Sequence, residues 1–384
     1  MNMKKIVIAS DSFKGSLSSL EVAEITASAI NEAFPDCKTV CIEMADGGEG
    51  FMDSLCDSMK ATRISCSVRD PLGREIVSEY AFADIPGKGM TAVIEMSRAS
   101  GLTLVPPDLR NPMETSTFGT GELIADALEK GCRNFLIGIG GSATNDGGIG
   151  TLSALGWRFL DSEGNVLPPV GASLEKICRI DDSKKDLRLK DCAFKVACDV
   201  DTPFCGPEGA AFIFAPQKGA GPEMVETLDK GLESFAAAIK DTTGSDVRNI
   251  PGAGAAGGLG GALKAFLKAE LLPGAEMVLE AVGFDSQAEG ADLVITGEGR
   301  MDGQTRRGKA PYCVLRHASS LGIPAVAVAG SISDPEALRE LGFKAILPIN
   351  PPGLSIEEAL KPETARRNLY GTVMGFLSAL TVSN

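Results

Sequence analysis

Apolar runs of strand length alternate with stretches of helical period near both ends of the chain. Residues 5–9 predict a short buried strand, and a helix is predicted over residues 18–34, where Ser18 and Glu21 have the spacing of a capping box. Near the carboxyl end, helical stretches separate three further apolar runs, at residues 291–296, 325–329 and 345–349. Strands that alternate with helices are typical of a parallel sheet, so both ends of the chain predict α/β structure.

The middle of the chain has a different pattern. Residues 63–82 alternate polar and apolar positions as antiparallel strands do, and helices are predicted over residues 122–130 and 147–155, around a strand at 134–139. The predicted fold class is therefore α/β, with a Rossmann-like parallel-sheet domain formed by both termini and a second α/β domain inserted into it. The expected domains are 1–64 with 285–384, and 65–284.

Chain length and composition favour two soluble domains. At 384 residues the chain exceeds what one hydrophobic core usually supports, and 44% hydrophobic with 23% charged residues is typical of a globular protein. The formal net charge of −14 argues against nucleic acid or an anionic membrane as a partner, because the field of the protein would repel both. An acidic substrate stays compatible where a few cationic side chains and a divalent cation reverse the potential locally.

Cysteine and histidine usage argues against several kinds of site. The ten Cys residues contain no C-x-x-C pair, and His317 is the single histidine, which leaves no set for zinc or for a Ser-His-Asp triad. Structural thiols in a reducing compartment are expected.

The first apolar run is too short for a signal peptide and no segment has membrane-spanning length, so a cytoplasmic location is predicted. The sequence leaves a monomer and a homodimer open.

A glycine-rich loop follows the central strand, in the segment FLIGIGGSATNDGG at residues 135–148. Glycines let main-chain N–H groups approach an anion closely, and a carboxylate beside that anion usually needs a metal ion between them. The loop therefore predicts a phosphate site with Asp146 as a metal ligand. The predicted contacts to phosphate are Gly140, Gly141, Ser142, Asn145 and Gly147.

The same loop also fits a dinucleotide pattern. Residues 138–143 match G-x-G-x-x-A after a strand, and Asp161 follows at about the distance of a ribose contact, which keeps a nicotinamide-dependent oxidoreductase open. Asn145 and Asp146 would then lie beside a pyrophosphate without a counter-charge. That arrangement favours a magnesium nucleotide over NAD.

A second polar segment follows the strand that ends near Thr296. It carries Glu298, Arg300, Asp302 and Lys309 before a helix that begins near residue 310. Residues 303–309 resemble the start of a Walker A loop, but Ala310 stands where a Ser or Thr should bind Mg²⁺, so a P-loop ATPase is not expected. A helix amino terminus beside cations favours an anion, and the carboxylates suit a metal or a proton. A turn closed by solvated ion pairs is the alternative interpretation.

Three more residues follow predicted strands or turns. Lys14 comes after the first strand, and Asp199 directly follows a strand at residues 194–198, at the strand end where open α/β sheets bind ligands. Asp46 lies in the turn ADGGEG, where an Asx-turn is an equal alternative. The candidates for a base that accepts a hydroxyl proton are, in order of preference, Asp199, Asp46 and Glu298.

Nine motifs in this order resemble one known family. They are IVIASDSFKGSLSS, MADGGEGF, DPLGR, NPMETSTFGTGELI, GIGGSATNDGGIG, CDVDTPFCGPEGA, PQKGA, PGAGAAGGLGGAL and DLVITGEGRMDGQTRRGKAP. Together they look like bacterial glycerate kinase of the two-domain type that serves glycolate and glucarate/galactarate degradation. The resemblance spans almost the whole chain.

The resemblance implies ATP-dependent phosphorylation of D-glycerate with Mg²⁺, 2-phosphoglycerate as product, and an active site in the cleft between two domains. In that interpretation the glycine loop and Asp146 bind the ATP phosphates and Mg²⁺. The positive charge for the triphosphate and the glycerate carboxylate then comes from Lys14, Arg300 and Lys309. Formation of 3-phosphoglycerate, the oxidoreductase and a non-catalytic nucleotide sensor are the alternatives.

Overall fold

A computed structural model of the chain describes residues 3–44, 50–85 and 89–382. The chain divides into two compact units, one formed by Met1–Asp46 with Ala275–Asn384 and the other by Gly47–Gly274. We call the first the terminal unit and the second the central unit. Both boundaries lie earlier in the chain than the expected residues 64 and 285.

Strands and helices alternate along most of the described chain. The strands are β1 (Lys5–Ser10), β2 (Lys38–Glu43), β3 (Thr62–Arg69), β4 (Glu75–Ile85), β5 (Gly89–Glu95), β6 (Asn134–Gly138), β7 (Arg158–Leu160), β8 (Arg179–Asp181), β9 (Ala193–Ala197), β10 (Glu270–Leu272), β11 (Leu293–Met301), β12 (Ala325–Ile332) and β13 (Ala345–Pro348). The helices are α1 (Ser19–Ala33), α2 (Phe51–Met59), α3 (Ser97–Ser100), α4 (Phe118–Glu129), α5 (Ile149–Ala154), α6 (Ala210–Phe214), α7 (Pro222–Thr243), α8 (Leu259–Leu267), α9 (Gly274–Val282), α10 (Phe284–Ala288), α11 (Ala310–Ser320), α12 (Pro335–Arg339), α13 (Ile356–Ala359) and α14 (Pro362–Val382). None of these helices combines the length and the apolar character needed to cross a lipid bilayer.

The terminal unit contains a parallel sheet in the order β13-β12-β11-β1-β2. Its central strand β11 and the adjacent β1 are almost entirely buried, as expected for strands covered on both faces. The predicted capping box is confirmed at the start of α1, where Ser18 and Glu21 each accept a hydrogen bond from the other's main chain. The expectation of a parallel sheet built from both ends of the chain is therefore confirmed.

The central unit contains a mixed sheet in the order β10-β9-β6-β5-β4-β3. The pairs from β5 to β10 are parallel, whereas β3, β4 and β5 pair antiparallel. Pairing between β3 and β4 runs from Thr62 opposite Phe82 to Arg69 opposite Glu75. Because β3 pairs along its full length with β4, it belongs to this unit and not to the terminal one. The α/β fold class is confirmed.

A glycine-rich segment packs directly on the loop after β6. A Cβ atom built on Gly257 would lie 2.1 Å from the carbonyl oxygen of Thr144, and Gly257 has φ +68°, where a side chain is strained. The main-chain N–H of Gly147 donates to the carbonyl oxygen of Gly257 at 2.9 Å. The segment PGAGAAGGLGGAL is thus a close packing surface that holds the loop after β6 in place.

Candidate active site

A polar cluster lies at the carboxyl end of β11 in the terminal unit. Glu298 and Arg300 belong to β11 itself, Asp302 caps the 3₁₀ helix Gly303–Arg307, and Lys309 immediately precedes α11. We call Glu298, Arg300, Asp302, Thr305 and Lys309 the β11 cluster. The structure therefore brings together the charged residues that the sequence placed on this segment, at the strand end where parallel sheets bind ligands.

Glu298 is a buried carboxyl group of this cluster with a raised pKa. It is 8% exposed, its Oε1 accepts a hydrogen bond from Thr305 Oγ1 at 3.0 Å, and its Oε2 lies 3.3 Å from Lys309 Nζ. Burial raises the pKa of Glu298 to about 7, against the opposing effects of Lys309 and Thr305, and the charge of Asp11 adds to the increase. The carboxyl group thus changes protonation near neutral pH, which suits a group that accepts and releases a proton.

Lys309 is the cation beside this carboxyl group, and two further cations lie at the same end of the sheet. Lys309 Nζ donates to the carbonyl oxygen of Arg300 at 3.2 Å and to Asp302 Oδ1 at 3.4 Å. The side chain of Arg300 is exposed, with Nε 3.6 Å from Asp302 Oδ2. The loop after β1 runs beside the cluster, because a Cβ atom on Gly299 would lie 3.3 Å from the main-chain nitrogen of Lys14. Lys14 is exposed there, so the predicted cations Lys14, Arg300 and Lys309 share one end of the sheet.

Asp146, in the central unit, is fully enclosed. Its Oδ2 accepts hydrogen bonds from the main-chain N–H and the hydroxyl of Thr117, both at 2.8 Å, and from the N–H of Gly150 at 3.1 Å, while its Oδ1 accepts from the N–H of Gly148 at 3.0 Å. The residue is 0% exposed, and burial raises the pKa of Asp146 while these hydrogen bonds oppose the increase. Both oxygens are engaged with the protein's own donors. This geometry argues against the predicted role of Asp146 as a metal ligand.

The predicted phosphate contacts in the same loop differ in accessibility. Gly140 is partly exposed and Gly141 is exposed, whereas Ser142 is buried, at 8%. Gly147 is packed against Phe235 and already donates its N–H within the protein, which argues against a phosphate contact there. Asn145 is buried, and among the described residues neither its Oδ1 nor its Nδ2 has a hydrogen-bond partner. A buried amide without partners is costly, so Asn145 is a candidate for contact with a ligand or water.

Lys218 was not selected as a site residue from the sequence. It is 2% exposed at the end of the 3₁₀ helix Pro216–Lys218, and its Nζ donates to Ser142 Oγ at 2.8 Å and to the carbonyl oxygen of Thr144 at 2.7 Å. Burial lowers the pKa of Lys218 to about 7, although the charge of Asp146 opposes the change. A lysine within the apolar and small residues AAFIFAPQKGA was the available signal.

The remaining base candidates have different positions. Asp199 follows β9 as predicted and is exposed, and its Oδ1 accepts a hydrogen bond from the main-chain N–H of Gly274 at 2.9 Å, at the start of α9. Asp46 lies outside the described residues. Among the described candidates, Glu298 therefore has the burial and the neighbouring charges that tune a carboxyl group for proton transfer.

Comparisons with known proteins agree with the family resemblance of the sequence motifs. The model of the glycerate kinase family matches residues 6–380. A glycerate kinase of Bacillus subtilis is 48% identical over 93% of both chains, and a glycerate 2-kinase of Escherichia coli is 44% identical over 96% of this chain and 98% of its own. A crystal structure from Salmonella typhimurium LT2, of a protein provisionally named glycerate kinase 2, has a TM-score of 0.85 and 42% identity. The match covers 100% of this chain and 99% of that one.

Proposed function

The chain belongs to the glycerate kinase family and is therefore a kinase, and we propose that it transfers the γ-phosphoryl group of ATP to D-glycerate, giving 2-phospho-D-glycerate. The position of transfer is proposed from the name of the Escherichia coli relative, and 3-phosphoglycerate is the alternative product. Family membership does not favour the oxidoreductase. Location in the cytoplasm and the choice between monomer and homodimer remain predictions, which fractionation and light scattering would test.

The observation that supports this proposal most directly is the environment of Glu298. Phosphoryl transfer to a hydroxyl group needs a base for the hydroxyl proton and positive charge for the phosphate oxygens. Glu298 has a pKa of about 7 beside Lys309, and Arg300 is exposed in the same cluster. We therefore assign the proton to Glu298 ahead of Asp199, reversing the order that the sequence suggested. Lys14, Arg300 and Lys309 would neutralise the triphosphate and the glycerate carboxylate.

Magnesium is expected to arrive with the nucleotide. Among residues 3–44, 50–85 and 89–382, no group of three His, Cys, Asp or Glu side chains is arranged to hold a metal. Mg²⁺ usually takes one or two carboxylates and completes its shell with phosphate oxygens and water, so such a group is not required. Asp302, which is partly exposed in the β11 cluster, fits that limited role better than the enclosed Asp146. When bound, the ion would neutralise phosphate charge.

In the central unit, we propose that Gly140, Gly141 and Ser142 contact substrate oxyanions, with Asn145 supporting them. Gly140 and Gly141 present main-chain groups near the surface, and Ser142 presents a hydroxyl. Asp146 and Gly147 have a different function, since their hydrogen bonds hold the loop. The loop thus divides into a part that binds ligand and a part that fixes its shape.

One assay tests the reaction. The protein is incubated with ATP, Mg²⁺ and D-glycerate, ADP release is followed, and the phosphate ester is identified by ³¹P NMR, with L-glycerate as the stereochemical control. ADP release that depends on D-glycerate, with a signal for the 2-phosphate, is the expected result. A 3-phosphate signal would correct the position of transfer, and no ADP release would overturn the proposal.

A further inference from the structure

The orientation of the Ser142 hydroxyl is set by a buried lysine. Lys218 Nζ donates to Ser142 Oγ at 2.8 Å, so the hydroxyl oxygen acts as an acceptor in this contact. A hydroxyl that accepts a hydrogen bond can still donate its own hydrogen to another group. Among the described residues, no carbonyl or carboxylate oxygen accepts that hydrogen from Ser142, which is 8% exposed. The hydroxyl hydrogen is therefore left for an acceptor on a ligand that reaches this loop.

The burial of Lys218 is difficult to explain by packing alone. Its side chain is 2% exposed, and both acceptors of Nζ are neutral oxygens, those of Ser142 and Thr144. Removing an amine from water without a direct ion pair is costly, and an apolar side chain of similar length would fill the same volume. Both acceptors lie in the loop whose exposed start is proposed to bind substrate. The costly burial of the Lys218 amine thus occurs at the segment that is proposed to bind substrate.

Building on the proposed function, we propose that Lys218 is a positioning residue that fixes the Ser142 hydroxyl as a hydrogen-bond donor to a substrate oxyanion. The oxyanion is a phosphate oxygen of ATP or the carboxylate of glycerate, both of which accept such a bond. Lys218 acts through Ser142 and through the main chain at Thr144, which it holds from the buried side of the loop. It does not itself contact the substrate.

Steady-state kinetics of Ser142→Ala, Lys218→Met and the double variant test this role. Loss of a hydrogen bond to a charged group should raise KM for one substrate by about tenfold or more, with a smaller change in kcat. Lys218→Met should raise the same KM, and the double variant should be no worse than Lys218→Met, because both changes remove one interaction. A rise in KM for ATP identifies the phosphate as the partner, and a rise for glycerate identifies the carboxylate. Lys230→Met, on the exposed side of α7, is the matched control and should leave both KM values unchanged.

Two results would overturn the proposal. Unchanged KM values in Ser142→Ala would show that the hydroxyl binds no substrate, and that variant decides the question alone where Lys218→Met does not fold. Effects that add in the double variant would show that the two residues act independently. Calorimetric titration of Ser142→Ala with ATP and with D-glycerate needs no turnover, so it tests the hydroxyl even where the wild-type protein releases no ADP and the proposed reaction fails.

Discussion

Two carboxyl groups in this protein occupy similar glycine-rich sequence contexts and have opposite surroundings. Asp146, in the central unit, accepts four hydrogen bonds from neutral donors and is fully enclosed. Glu298, in the terminal unit, accepts one from a hydroxyl group and lies beside the ammonium group of Lys309. In the first arrangement the carboxyl group is enclosed by the protein's own donors, whereas the second leaves a carboxyl group that titrates near neutral pH.

The difference teaches that glycine beside an acidic residue does not by itself define a binding site. Burial and the identity of the hydrogen-bond donors decide whether the carboxylate holds the fold or takes part in chemistry. A carboxylate that accepts from several main-chain N–H groups fixes a loop. One that accepts from a hydroxyl group and lies beside a lysine can exchange a proton near neutral pH.

The largest expected effect is loss of stability in Asp146→Asn. In either orientation the amide directs an NH₂ group at main-chain donors, since Oδ1 and Oδ2 of Asp146 both accept N–H groups in the wild-type protein. We expect the free energy of unfolding to fall by about 3 kcal/mol or more. Guanidinium denaturation followed by the fluorescence of Trp157, the single tryptophan, reports on this unit directly.

Asp201→Asn is the matched control for this change, because it makes the same substitution at an exposed position of the central unit. Its free energy of unfolding should stay within about 0.5 kcal/mol of the wild-type value. A stable Asp146→Asn protein that had lost only its dependence on Mg²⁺ would contradict the structural role and restore the metal-ligand interpretation.

Glu298→Gln should have the next largest effect, on turnover and not on folding. Removal of a general base reduces kcat by about a hundredfold or more, and the amide keeps the shape of the carboxyl group. In the wild-type enzyme kcat should rise with pH through about 7, because Glu298 must be ionised to accept the proton. The variant should lack this rise. Rates of ADP release measured across the pH range give both results.

Two further variants sharpen the assignment of the base. Glu336→Gln, exposed on α12 in the same unit, should leave kcat unchanged. Asp199→Asn removes the other described candidate for the base. It should reduce kcat by less than about tenfold, because only loss of the base itself costs about a hundredfold or more. A larger loss in Asp199→Asn than in Glu298→Gln would return the role of base to Asp199.

The parts of the fold that could be predicted are those encoded locally. Apolar runs and the capping box at Ser18 gave the strands and α1, because burial of a strand and satisfaction of a helix start depend on neighbouring residues. The charged members of the β11 cluster were also predicted, since they lie within one short segment, whereas Thr305 was not.

The role of Asp146 and the contact made by Lys218 could not be predicted, because their partners are distant in the chain. Thr117 is 29 residues from Asp146, and Lys218 is 76 residues from Ser142. Thr117 illustrates the difficulty: it has the position of a helix cap before α4, yet its hydroxyl donates to Asp146 at 2.8 Å and does not cap the helix. No local pattern distinguishes these two uses of a threonine.

Lys309→Met tests the neighbour that distinguishes Glu298 from Asp146. Lys309 lowers the pKa of Glu298, so its removal should raise that pKa and move the rise in kcat to higher pH. Loss of the cation should also raise KM for ATP by about tenfold. Lys344→Met, at an exposed position of the same unit, is the control. An unshifted pH profile would show that Lys309 does not act on Glu298.

The smallest expected effect concerns a third kind of carboxylate, paired with the single histidine. His317 Nδ1 lies 2.6 Å from Asp285 Oδ1, and Nε2 lies 3.1 Å from Glu276 Oε1. Burial alone would lower the pKa of His317, but the hydrogen bonds to Asp285 and Glu276 outweigh it and raise the pKa above the usual 6.5. The folded protein therefore binds this proton more tightly than the unfolded chain does.

It follows that the contribution of His317 to stability is fully present below about pH 6.5 and is lost as the pH rises through the raised pKa. His317→Gln should lower the free energy of unfolding by no more than about 1 kcal/mol near pH 6 and by less at high pH. Calorimetric melting of both proteins across this range measures the difference, in which the titration of Glu298 cancels because both proteins contain it. A difference that stays constant with pH would mean that His317 is neutral in the folded protein, and that its two carboxylates act on it as hydrogen-bond acceptors and not as charges.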